Sequence, residues 1–246
     1  MDSPSFSIIT ATYNSEKTLP QTIESVLSQS ISPKEYIIVD GDSSDRTIAV
    51  AESFRADFNE KGIVFTIISE KDNGMYDAMN KGVRYASGDI IGIINSDDWY
   101  QHDTLELVAD TFKKDNFDMV FGDMLVHTNN RVLLKRAAIT KWVTSRTWNH
   151  PTTFSRRELH VQYPYPCQSI YDDFNMYVAM RKEKKHIIVL NKTLANFRMG
   201  GISTRRTWQD VLNRTKIRYK IYRQNGHSRV YILECIMMEV VKYFLS

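Results

Sequence analysis

Only two cysteines, Cys167 and Cys235, occur in 246 residues, too few for a disulfide framework and not at metal-ligand spacing. A reducing compartment is therefore expected. Six prolines and ten glycines exclude a collagenous or linker-rich chain. No run approaches the ~20 apolar residues of a membrane-spanning helix. Met1–Phe6 has no basic start and no long apolar run, so a secretory signal is not expected. The glycine-rich phosphate cradles are missing too: no GxGxxG follows the first apolar run, and no GxxxxGK[ST] occurs. Nor is there a zinc ligand set or a GxSxG elbow.

What is present suits one large α/β domain. Hydrophobic residues make up 42% and charged residues 25% of the chain, enough apolar mass for a core. Short apolar runs alternate with helical periodicity through the first hundred residues, as βαβ units do. The expected strands are 6–12, 36–40, 63–68 and 90–94, and the expected helices 16–29, 47–58 and 76–86. Uninterrupted apolar strands imply a parallel sheet covered on both faces, with ligands at the carboxyl ends of its strands. Polar residues cluster there: Thr12-Tyr13-Asn14, Asp40-Gly41-Asp42 and Asn95-Ser96-Asp97-Asp98. Acids in these places suit a divalent cation and a diphosphate, although an acid pair after a strand is by itself more often a cap.

The second half reads as a strand at 119–123, a hairpin of 125–127 with 131–134, a helix at 173–184, and strands at 186–190 and 194–198. Residues 205–246 carry nine Lys or Arg against three acids, a net +6 that leaves −3 for the rest. This basic tail should form two helices. In the first, Trp208, Val211, Leu212, Thr215, Tyr219 and Tyr222 make a stripe expected to pack on the domain. Ile217, Ile221 and the basic residues then lie opposite. The segregated charge points to an anionic partner, a membrane surface or a nucleic acid.

The ordered segments FSIITATYNSEKTLPQTIESVLSQS, YIIVDGDSSDRT and EKDNGMYDAMNKGVRYASGDIIGIINSDDWY closely resemble the N-terminal half of glycosyltransferase family two. NHPTTFSRREL, YDDFNMYVAMR and FRMGGIST continue the likeness more loosely, in the manner of enzymes building bacterial O-antigen and other surface polysaccharides. The resemblance implies a GT-A fold, Rossmann-like, with a mostly parallel central sheet, flanking helices and a C-terminal helical tail. It divides the chain into a glycosyltransferase domain at 1–204 (nucleotide half 1–98, acceptor half 99–204) and the tail at 205–246. It assigns nucleotide-sugar contacts to Thr12, Tyr13, Asn14, Asp40, Asp42, Lys71, Asp72, Asn80, Asn95 and Ser96. Glu70 falls in the same segment as Lys71 and Asp72. Asp97 matches the retained acid of the Asp-x-Asp metal motif, Asn95 replacing the first acid, so the implied cofactor is Mn²⁺ or Mg²⁺. Of the acidic pair Asp172-Asp173, Asp173 matches the catalytic base. Asp98, His150 and Asp172 are candidates for the acceptor side.

The expected activity is inverting transfer of a sugar from a nucleotide donor, a UDP-sugar, to a hydroxyl of a lipid-linked oligosaccharide. The expected location is the cytoplasm, peripheral at the inner face of the membrane, with the tail on that surface and no nucleic acid partner. The rival reading is a non-catalytic nucleotide-binding module whose basic tail docks a nucleic acid or a protein. A base opposite a metal residue argues against it, since binding alone needs neither.

Overall fold

In a computed structural model, residues 3–200 and 207–245 are described. Strands β1 (Phe6–Thr12), β2 (Glu35–Asp40), β3 (Val64–Ser69) and β4 (Ile90–Ile93) are mutually parallel in the order β3-β2-β1-β4. Helices α1 (Leu19–Leu27), α2 (Thr47–Ser53), α3 (Arg55–Glu60) and α4 (Met75–Tyr85) connect them. Side-chain alternation along each strand serves two cores. Phe6, Ile8, Tyr36 and Ile38 pack with α1 and α3, whereas Ile9, Ala11, Ile37 and Val39 pack with α4.

One expected helix, 47–58, is two. The break falls where the Ser53 hydroxyl bonds back to the Val50 carbonyl at 2.6 Å and competes with the helical ladder.

The second half extends the sheet with strands of both directions. After β5 (Trp99–Tyr100) and α5 (Thr104–Lys114) come β6 (Met119–His127) and β7 (Val132–Lys135), the expected hairpin. Next follow β8 (Phe154–Arg156), α6 (Arg157–Gln162), α7 (Asp172–Lys182) and β9 (Ile187–Arg198). β8 lies antiparallel between β4 and β6, and β9 lies between β6 and β5. The two strands expected at 186–190 and 194–198 are thus one. Asn191 and Lys192 bulge out of its ladder with β6, which is why they read as a break. Gly122 faces that bulge, and a Cβ there would come within 2.7 Å of the Lys192 carbonyl.

The tail forms α8 (Trp208–Gln224) and α9 (Tyr231–Leu245), an antiparallel pair laid on the α4/α7 side of the sheet. Thr207 and Asp210 start α8 with a reciprocal capping box. The buried stripe of α8 is Val211, Thr215, Arg218, Ile221 and Tyr222. Val211, Thr215 and Tyr222 are buried as expected, but the stripe is otherwise corrected: Trp208 and Leu212 are exposed, and Ile221, expected on the opposite side, is buried. The stripe is rotated because Arg218 finds a buried anionic partner, which apolar periodicity does not register. α9 turns Glu234 and Glu239 inward and leaves Leu233, Ile236, Met237 and Val241 outside. The proposed boundary at 204/205, and the loop residues from Gly201 to Thr204, lie outside the described residues.

Candidate active site

Three loops meet at the carboxyl ends of β1, β2 and β4. Asn14, in the left-handed region at φ 48°, accepts from the Ser44 amide at 2.9 Å, and its own amide donates to Ser43 Oγ at 2.8 Å. Asp40 is fully buried and accepts from the Ser43 amide at 2.9 Å and from Ser69 Oγ at 2.8 Å. Asp42 follows, exposed and left-handed at φ 66°. Asp72 closes over this turn: its carboxylate lies 2.6 Å from where a Gly41 Cβ would stand. Only glycine admits that approach. The Ser15 and Ser96 hydroxyls, 2.8 Å apart, join the β1 loop to the β4 loop. Thr12 Oγ1 is buried without a hydrogen-bond partner among the described residues, and Tyr13 is exposed. Lys71 is exposed, while its carbonyl accepts from the buried Lys81 at 2.8 Å; Lys81 also pairs with Glu70 at 2.9 Å. Sequence reasoning passed over Lys81, whose place in an amphipathic helix looks like any solvated lysine.

In the Asn95–Asp98 loop the two acids part company. Asp98 is fully buried, accepting from the Arg198 amide at 3.1 Å and from Asn95 Nδ2 at 3.3 Å. It ties the loop to β9 and presents no surface to an acceptor. Burial, then the neighbouring Asp97 charge, holds its carboxyl well above the usual range. Asp97 is less enclosed; burial raises its carboxyl, and Arg198 partly offsets this. The Arg198 guanidinium stacks 5.1 Å from the Trp99 ring and donates to the Asp97 carbonyl at 3.4 Å. Among the described residues, no three His, Cys, Asp or Glu side chains form a ready-made metal cage. Asn95 Oδ1, however, is buried with no hydrogen-bond partner among them. An orphaned amide oxygen two residues from a carboxylate fits a hard cation that takes its remaining ligands from water and diphosphate.

Asp173 occupies a different setting. It lines a cavity of about 10 Å³ with His150, His160, Ser155, Tyr165, Trp148 and Ile93. Ile93 ends β4 just before Asn95-Ser96-Asp97-Asp98, so this cavity abuts the carboxyl end of β4. The Tyr76 hydroxyl, from the first turn of α4, donates to Asp173 Oδ1 at 2.8 Å. Burial and the Asp173 carboxylate both raise the Tyr76 phenol, keeping it a donor. Burial lowers His150, with Asp173 pulling the other way, and pushes His160 down to about 3. Both imidazoles are therefore neutral at pH 7. His160 meets Ser155 Oγ at 2.8 Å.

Asp172 is buried and engaged, accepting from the Gln168 amide at 2.9 Å and from Ser169 Oγ at 2.7 Å. It shapes the loop before α7 rather than facing the cavity. Asn80 likewise directs its amide elsewhere, donating to the Tyr165 carbonyl at 2.7 Å and accepting from the Tyr165 amide at 3.0 Å. Tyr76 was missed because nothing in MYDAMN marks one tyrosine as reaching a carboxylate 97 positions later.

A mostly parallel mixed sheet with flanking helices, with acids at the carboxyl ends of β2 and β4 and a further carboxylate in the first turn of α7, defines a GT-A-type glycosyltransferase fold. The chain belongs to glycosyl transferase family 2, whose pattern matches residues 7–188. A PGL/p-HBAD biosynthesis glycosyltransferase of Mycobacterium tuberculosis is 33% identical over 161 residues, covering 65% of this chain and 62% of that protein. The UDP-Glc:alpha-D-GlcNAc-diphosphoundecaprenol beta-1,3-glucosyltransferase WfgD of Escherichia coli is 32% identical over 142 residues, covering 57% and 54%. The matched stretch thus spans about three fifths or less of these relatives' length. In fold, the chain is similar to residues 1–349 of S. aureus TarS in complex with UDP-GlcNAc. The TM-score is 0.70 at 20% identity, over 98% of this chain and 72% of that one.

Proposed function

We propose that this glycosyltransferase is inverting and metal-dependent, moving a hexose from a UDP-sugar to a hydroxyl of a lipid-linked glycan in surface-polysaccharide synthesis. The observation that carries the reading is Asp173, held by Tyr76 in an enclosed cavity that abuts the end of β4. The acceptor oxygen attacks the anomeric carbon as the bond to the diphosphate oxygen breaks. Asp173 takes the acceptor proton, and an α-linked donor gives a β-linked product. Thr12, Tyr13, Asn14, Asp40, Asp42, Lys71 and Asp72 lie where the nucleotide would bind, with Asn95 and Ser96 beside the diphosphate. Asp97 and Asn95 would hold Mn²⁺ or Mg²⁺, which supplies Lewis-acid stabilisation of the leaving diphosphate. Arg198, stacked beside Asp97, adds positive charge at the same edge. The relative named for a UDP-Glc donor and a diphosphoundecaprenol-linked acceptor supports both substrate classes.

Thermal-shift measurements with UDP- and GDP-sugars, with and without Mn²⁺, test the donor side. A ligand at 100 times its Kd stabilises by about 2.7 kcal/mol. A UDP-selective, metal-dependent shift is expected, together with a β-anomeric product by NMR. No response to any nucleotide, or retention of the donor's configuration, would overturn the reading.

A lipid-linked acceptor also calls for a membrane-facing surface, at the cytoplasmic side in this reading. Among the described residues, no helix is long and apolar enough to cross a membrane. The outer surface of α8 and α9 offers Lys216, Lys220, Arg223 and Arg229 beside Trp208, Leu212, Leu233, Ile236 and Met237, while Glu234 and Glu239 point inward. That combination suits an anionic bilayer, each cation near the surface contributing about 1 kcal/mol. Sedimentation should show binding to vesicles with about 30% anionic lipid that weakens as salt is raised toward 1 M, where screening shortens from ~10 Å to ~3 Å. Binding indifferent to lipid charge, or none, would remove this role from the tail.

A further inference from the structure

The basic tail contains one cation that faces neither solvent nor any outside partner. Arg218 of α8 is fully buried and pairs with the fully buried Glu239 of α9 at 3.1 Å. Two charges taken out of water gain little net stability, because desolvation consumes most of their attraction. An apolar pair would serve packing as well, so what this pair touches matters.

Its contacts lead to both sides of the base. On one side, the Arg218 guanidinium lies 4.4 Å from the Tyr171 ring centroid and 5.5 Å from that of Phe174. The Tyr171 hydroxyl donates to Glu239 Oε1 at 2.9 Å. Tyr171 is the residue from which α7 starts, and Phe174 follows Asp173, so the pair grips the backbone on either side of that carboxylate. On the other side, Arg218 donates to Ser145 Oγ at 2.5 Å. The carbonyls of Ser145 and Trp148 accept from the buried Lys135 at 3.3 and 3.0 Å. Trp148 then stacks on Tyr177 of α7 at 5.1 Å and meets the His150 ring edge-on at 5.9 Å. Tyr171 and Phe174 flank Asp173 from α7; Trp148 and His150 line its cavity from the opposite wall.

We infer that Arg218, locked by Glu239, is a positioning residue for the transfer step: it holds the first turn of α7 and the 145–150 wall in register, so that Asp173 meets the acceptor hydroxyl. The inference rests on Asp173 being the base. It gives α8 and α9 a part in turnover that is separate from any contact with a membrane. Donor binding does not depend on it, since the nucleotide loops at β1, β2 and β4 make none of these contacts.

The test is steady-state transfer and UDP-sugar binding by three variants of the full chain. Arg218→Leu/Glu239→Leu removes both charges, so no buried ion is left unpaired. Tyr171→Phe keeps the ring and deletes only the hydroxyl that reaches Glu239. Asp173→Asn reports on the base itself. Displacing a reacting group by about 1 Å costs on the order of 10²-fold. For the double variant a fall in kcat of roughly 10–100-fold is expected, with donor KM and UDP-sugar Kd unchanged. Tyr171→Phe should lose kcat in the same selective way by a smaller factor, which keeps the inference testable if the double variant does not fold. A folded double variant with wild-type kcat, or a Tyr171→Phe enzyme indistinguishable from wild type, overturns it. So does a loss shared equally between kcat and donor affinity. Wild-type turnover by Asp173→Asn would instead refute the assignment of the base, an outcome distinct from these.

Discussion

At the carboxyl ends of β1, β2 and β4, short loops hold one another by hydrogen bonds between small polar residues, and Tyr13, Asp42 and Lys71 remain open to solvent. Around Asp173, by contrast, the walls include Trp148, Tyr165 and two neutral histidines, the buried His160 and the half-buried His150, leaving room for about one water. The first region is open to entry, and the second is closed and fixed. In the proposed reading a large charged nucleotide comes and goes over the first region, which suits solvated loops set by short side-chain bridges. A general base works only within hydrogen-bond distance of one hydroxyl, and burial among rings restricts it to that position.

The strongest way to break this contrast is at the metal motif. Asp97→Asn should reduce turnover below detection and weaken Mn²⁺-dependent UDP binding, read by isothermal titration; unaltered UDP and Mn²⁺ binding would remove Asp97 from the metal site. Next comes the base. Asp173→Asn should lose roughly 10²–10⁴-fold in rate while binding donor normally, so the two sides separate kinetically. Asp172→Asn sharpens the point: its carboxylate serves the Gln168–Ser169 loop, so about 1–3 kcal/mol of stability should be lost. If Asp172→Asn is catalytically dead while Asp173→Asn is active, the base moves one position upstream.

The smallest expected effect concerns dryness on the base side. Burial pushes His160 down to about 3 in the folded protein, against 6.5 for a free imidazole, so between these values the unfolded chain binds more protons. Stability therefore falls as pH drops below 6.5, by about 2 kcal/mol from this residue at pH 5. Urea unfolding at pH 7 and pH 5 would measure it, and His160→Gln should flatten the slope. An equal slope in that variant would mean that the cavity admits solvent.

How much of this was readable depended on how locally each feature is encoded. The four parallel strands lie between β-turns and amphipathic helices close in sequence, so alternation showed them with boundaries shifted by a residue or two. β9 was split because Asn191 and Lys192 mimic a loop, and only pairing with β6 shows them as a bulge. The family pattern pointed to Asp97 and Asp173, but not to the environments that divide Asp97 from Asp98 or Asp173 from Asp172. Those come from Arg198 reaching back 100 residues and from a turn four residues upstream. The tail misled most. Arg218 belongs to a basic run that looks uniformly solvated, and its burial depends on Glu239, 21 residues further on, across the turn between α8 and α9.

β9 also bears on how the protein is made. β1 to β4 can pair among themselves once about 95 residues have left the ribosome, because every partner is already present. β5 has no partner until β9 exists: Trp99 pairs with Asn196 and Tyr100 with Ala195, and the Asp98 carboxylate waits for the Arg198 amide. The loop carrying Asp97 can be held early by α1, where Thr22 donates to the Asp98 carbonyl at 2.7 Å and Ser25 accepts from the Tyr100 amide at 3.1 Å, but its ladder to β9 needs residues synthesised a hundred positions later. A nascent chain can form its nucleotide-side sheet early, yet its Asn95–Asp98 loop is completed near the end of synthesis, a delay set by the sequence separation of that pairing.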